Sequence, residues 1–141
     1  MMKTLYFTLV ALFFTSILVG QEVKFKNKSV FIDKQEALRY EQPFLADEIT
    51  FKKLDSQEEV VYIKPAREDR GKYNEIVYYT LVFVQEKVSF ETQKFNQKGM
   101  KSIFKQLVKE GVVLPDGTVN IEAMERFKVK YEDSLTKLLI R

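Results

Sequence analysis

The chain of 141 residues contains no cysteine, no histidine and no tryptophan. Without cysteine there is no disulfide, no thiol nucleophile and no lipoprotein-type lipid attachment. Without histidine the commonest general base is missing and a Ser–His–Asp triad cannot be built. The two absences together exclude zinc sites of the Cys/His type. Catalysis would fall to carboxylates, Lys, Tyr or Ser. The length is also too short for a barrel of eight strands and helices, which takes about 250 residues. Net charge is small: 23 basic against 20 acidic side chains give +3. Lys3 is the only charge in residues 1–20, so the remainder is +2. A balance that mild argues against a nucleic-acid partner. No residue pattern points to a cofactor or a metal.

What is present divides at residue 20. Residues 1–20 combine basic Lys3 with an uncharged apolar run over 5–19 and the small Gly20. That is the pattern of a secretory signal peptide. The run is short for a membrane span, which needs about 17–25 apolar residues. After cleavage no integral span is expected. Residues 21–141 then form a single domain, exported to the periplasm or beyond. The Gly20-Gln21 junction and the lysine-rich body resemble small exported proteins of the Bacteroidetes phylum. The resemblance implies an envelope location and no particular activity.

Residues 23–92 read as strands. Val23 and Phe25 alternate with Lys24 and Lys26, and Asn27-Lys28 turns the chain into 29–32, which Asp33-Lys34 stops. Residues 36–40 are open between strand and helical turn. Residues 49–54 and 59–64 are further strands, the second closed by Pro65. Residues 76–84 are apolar on both faces, which predicts a central strand covered on both sides. Glu86-Lys87 turns into the strand 88–92.

Beyond Asn96 the apolar period becomes helical. Met100, Ile103, Phe104, Leu107 and Val108 make one stripe, with Asn96 as N-cap and Gly111 as stop. Pro115-Asp116-Gly117 turns into a second helix, capped by Asn120 and striped by Ile121, Met124, Phe127, Tyr131, Leu135, Leu138 and Leu139. Asp133 and Lys137 are an i, i+4 pair on it. The fold class is therefore α+β: an antiparallel sheet of about five to six strands, followed by two amphipathic helices packing on it.

Short motifs carry little. Ser102-Ile103-Phe104-Lys105 matches Ser-x-x-Lys, but its companion motifs are missing. Asp116 to Asn120 looks like half a calcium loop, yet the remaining ligand positions fall on Val112, Leu114 and Ala123. Asn27-Lys28-Ser29 is a glycosylation sequon.

Two surfaces stand out. Lys98, Lys101, Lys105 and Lys109 share one arc of the first helix, a candidate face for an anionic surface. The loop 65–74 holds Arg67, Arg70 and Tyr73, residue types that recognise partners well, between the two best strands. The leading expectation is a non-catalytic module that binds another envelope protein or a second copy of itself. The alternative is attraction to an anionic surface through the lysine arc. A carboxylate-based hydrolase comes last, since nothing selects two of the twenty acids.

Overall fold

The computed structural model describes residues 22–43, 47–69, 71, 75–95 and 99–133. Seven strands come first: β1 (Val23–Lys26), β2 (Ser29–Ile32), β3 (Gln35–Glu41), β4 (Ile49–Lys52), β5 (Glu59–Asp69), β6 (Glu75–Phe83) and β7 (Val88–Thr92). Helices α1 (Met100–Lys109) and α2 (Ile121–Tyr131) follow. Spatial order equals chain order, and every neighbouring pair is antiparallel. The α+β class and the segregated helices are as the sequence predicts.

The extra strand is β3. Its alternation is hidden because consecutive Ala37 and Leu38 are both buried. The β2–β3 register shifts between Val30 and Phe31, which breaks the two-residue period. The flanking turns are local. Asn27 and Lys28 have φ of 52° and 62°, and Asp33 and Lys34 have 50° and 68°. Two consecutive positive φ values make the mirror-image hairpin turn, whose twist matches the strands.

Pro65 does not close its strand; β5 runs on to Asp69. The bond from Val84 N–H to Val60 C=O sets the phase of the β5–β6 ladder. In that phase Pro65, opposite Tyr79, is a non-hydrogen-bonded position whose nitrogen faces away from β6. On that side β4 ends at the Ile49–Ile63 pair, so no neighbour needs the missing N–H.

The strand 76–84 is also corrected. β6 is sixth of seven rather than central. Leu81 and Phe83 are fully buried, whereas Tyr78, Thr80 and Val82 on the opposite face are only half-buried. Both helices come after the sheet and cover one face of it.

That covered face is curled. Phe25 on β1 and Phe51 on β4 have ring centroids 6.3 Å apart. Three strand spacings in a flat sheet would separate them by about 14 Å. α1 fills the curl: Phe104 stacks on Phe51 at 3.9 Å and meets Phe25 edge-on at 5.9 Å. α2 serves the other end, where Phe127 lies 6.1 Å from Phe90 and 6.3 Å from Phe95. Ile103, Phe104, Leu107, Met124 and Phe127 are all essentially unexposed. Burying each contributes about 1.5–3 kcal/mol.

The helix connector is pinned to the sheet. Gly117 has φ of 85°, and a Cβ there would lie 2.5 Å from the Ala37 carbonyl oxygen. Only glycine fits both the backbone and the contact. Asp116 accepts the Thr118 hydroxyl at 2.6 Å and its N–H at 3.0 Å, so these residues form a turn. The same two bonds, hydroxyl first, hold the Asp116 carboxyl below its usual range.

The helix ends differ partly from expectation. α1 starts after Gly99, and Asn96 lies outside the described residues. Gly111 follows α1 at φ of 78°, as a stop residue should. Asn120 caps α2 by accepting the Ala123 N–H at 3.2 Å. α2 ends at Tyr131, with Glu132 extended. Leu135, Lys137, Leu138 and Leu139 lie outside the described residues. Asp133 is not in the helix: its N–H donates to the Glu91 carbonyl at 2.8 Å, and its carboxylate accepts the Gln93 N–H at 2.6 Å.

Candidate functional site

The residues singled out from sequence do not form one site. Arg67 is part of β5, opposite Val77, and not of a loop. Arg70, Tyr73 and Lys98 lie outside the described residues. The other three lysines share α1 and are exposed, but their ammonium groups have different surroundings. Lys101 Nζ sits 5.2 Å from the ring centroids of both Phe25 and Tyr40, a cation–π arrangement. Lys109 stands in the last turn of α1, where a positive charge complements the helix dipole. Lys105 faces β1 across a groove.

The groove arises from the alternation of β1. Val23 and Phe25 turn toward α1 and pack on the core, while Lys24 and Lys26 take the opposite face. Phe31 pairs with Lys24 across the first hairpin, and Lys34 stands in the next turn. Because the lining includes both faces of β1 and Lys105 from α1, the groove straddles the sheet edge. Its volume is about 660 Å³, and it is lined by the apolar Val23, Phe25 and Phe31 and by four lysines. Lys24 makes a 3.4 Å pair with Glu22, both well exposed. Such a pair contributes at most about 1 kcal/mol. Lys26, Lys34 and Lys105 form no ion pair among the described residues.

Sequence reasoning found Lys105 and missed Lys24, Lys26 and Lys34. The Val-Lys-Phe-Lys alternation was visible, but its nearness to α1 comes from the curl of the sheet. Chemically the groove suits a negatively charged group carried on an apolar or extended body. No carboxylate lines it.

A second polar cluster ties the helices together. Tyr131 Oη donates to Glu110 Oε2 at 2.6 Å, Gln106 Nε2 donates to the same oxygen at 2.8 Å, and Lys130 Nζ donates to Oε1 at 2.9 Å. Burial pushes the Glu110 carboxyl up. The bonds from Tyr131, Gln106 and Lys130, with the Lys130 charge, outweigh that and hold it below its usual range. This is a clamp between α1 and α2. Glu122 and Glu125 share a shallow concavity of about 510 Å³ with Val129, which is 84% exposed. They stand side by side on one helix, not opposed across a cleft as glycosidic cleavage requires.

Among the described residues no three His, Cys, Asp or Glu side chains gather as a metal site. None of the described helices is long and apolar enough to cross a membrane. Comparison with protein-family models, with curated proteins and with solved structures finds no match to this chain.

Proposed function

We propose that the domain is an exported, non-catalytic binding module whose partner carries negative charge and is held at the lysine-lined groove. The observation that carries this reading is that Lys24, Lys26, Lys34 and Lys105 line one groove together with Val23, Phe25 and Phe31. Export is supported by the leader pattern of residues 1–20. The absence of histidine and cysteine supports binding over catalysis. A flat lysine face that settles on a membrane draws less support: Lys101 lies against two rings, and Lys105 belongs to a concave surface.

The test is titration of the exported chain with poly-L-glutamate over a salt series. Binding is expected to fall as salt rises. The triple variant Lys26→Ala, Lys34→Ala, Lys105→Ala is expected to bind at least about tenfold more weakly, a loss of about 1.4 kcal/mol. Salt-independent binding, or equal binding by the variant, overturns the reading. The exported chain is expected to begin at Gln21, and one still beginning at Met1 refutes cleavage.

A further inference from the structure

We propose that the groove receives an extended acidic segment of a partner protein, which pairs with the open edge of β1 as an eighth strand. The inference rests on the binding reading above and names the partner's chemistry. The bond from Asp33 N–H to the Glu22 carbonyl at 2.8 Å fixes the phase of the first hairpin. With that phase, Glu22, Lys24 and Lys26 exchange backbone bonds with β2. The N–H and C=O of Val23 and Phe25 then point away from the sheet. No group among the described residues bonds them. An edge of this kind is a template for strand addition, with backbone bonds supplying affinity and side chains selectivity.

The charges decide which strand is accepted. A second copy of β1 would bring its own lysines against Lys24 and Lys26, and like charges across a strand pair are destabilising. The lysines that exclude a copy favour an acidic strand. Side chains directly opposite in a strand pair share a face. Partner residues beside Lys24 and Lys26 are therefore Glu or Asp. Those beside Val23 and Phe25 face α1 and are apolar, since both core-side residues are half-buried against the cluster that contains Phe104. The recognised pattern is acid and apolar in strict alternation.

The experiment uses the exported chain and a short capped peptide of alternating Glu and Val. Three controls accompany it: a peptide of the same composition in blocks, the alternating peptide N-methylated on the amides that would face β1, and vesicles of phosphatidylglycerol. The alternating peptide is expected to bind at least about tenfold more tightly than the block and N-methylated forms, a difference of about 1.4 kcal/mol. The Val23 and Phe25 amides should gain hydrogen-exchange protection. The double variant Lys24→Glu, Lys26→Glu should lose this peptide and accept an alternating Lys–Val one. Equal binding of the N-methylated peptide, or unchanged exchange at Val23 and Phe25, overturns strand addition. If poly-L-glutamate still binds in that case, the groove reading survives alone. Binding to the vesicles without the peptide overturns the inference in favour of a membrane. Failure of every anion to bind overturns both.

Discussion

At the β7 edge the Glu91 carbonyl points out of the sheet and receives the Asp133 N–H at 2.8 Å; at the β1 edge the outward groups of Val23 and Phe25 receive nothing from the described residues. The two edges belong to one meander and flank one core. They differ because Asp133, just past α2, reaches the β7 backbone at Glu91, while α1 lies over β1 and makes no bond to its backbone among the described residues. Lys94 Nζ adds to the closure by donating to the Lys130 carbonyl at 2.7 Å. A sheet that leaves an edge open risks pairing with its own copies. Here the β1 edge carries lysine at alternate positions, and the β7 edge is met by the chain itself at Glu91. Edge protection by charge leaves room for a partner of opposite sign; a residue already bonded to the edge leaves none at that point.

The largest expected effect breaks the packing beneath each edge. Phe104→Ala and Phe127→Ala each remove a fully buried ring and should cost about 3–5 kcal/mol. That is a large share of the total for a domain with about 5–15 kcal/mol of stability. In hydrogen exchange, Phe104→Ala should release β1 to β4 first, and Phe127→Ala should release β7 first. The same order of release in both variants would show that the two ends unfold as one unit.

A smaller effect tests the closure itself. Asp133→Ala removes the carboxylate that accepts the Gln93 N–H at 2.6 Å, and should cost about 1 kcal/mol in denaturant unfolding. The variant should also raise exchange at Gln93. Unchanged exchange there would mean that Asp133 does not hold the edge.

The smallest effect is a pH dependence at the helix clamp between α1 and α2. Glu110 is held below its ordinary value near 4.5. Its folded form therefore binds its proton less readily than the unfolded chain does. The stabilisation is complete above the unfolded value and is lost as pH falls through the lower folded value. Glu110→Gln should be less stable than the native chain at neutral pH, and the gap should narrow below about pH 4.5. A gap independent of pH would assign the clamp to shape alone.

Much of the fold was legible because it is local. The Asn27-Lys28 and Asp33-Lys34 turns, the Ile103-Phe104-Leu107-Val108 stripe, the Asn120 cap and the Gly111 stop all occur where residue type and period place them. β3 was not legible, because a bulge in its pairing erased the alternation. Pro65 misled, because a proline is tolerated in a strand wherever the neighbour has already ended, and that depends on where β4 stops. The site was legible only in Lys105. Its companions lie about seventy to eighty residues earlier and join it through the rolled sheet.

Composition alone determined which chemistry is missing, since histidine and cysteine cannot be supplied by any folding of this chain. Residue order determined the sequence of strands and helices, because turns, caps and apolar periods act over a few residues. Which face is covered, which edge the chain returns to and which lysines meet were decided by tertiary structure. Each of these is a relation between segments distant in the chain. It exists only after the curl brings Phe25 within reach of Phe51 and Phe104, and after the chain beyond α2 returns to Glu91.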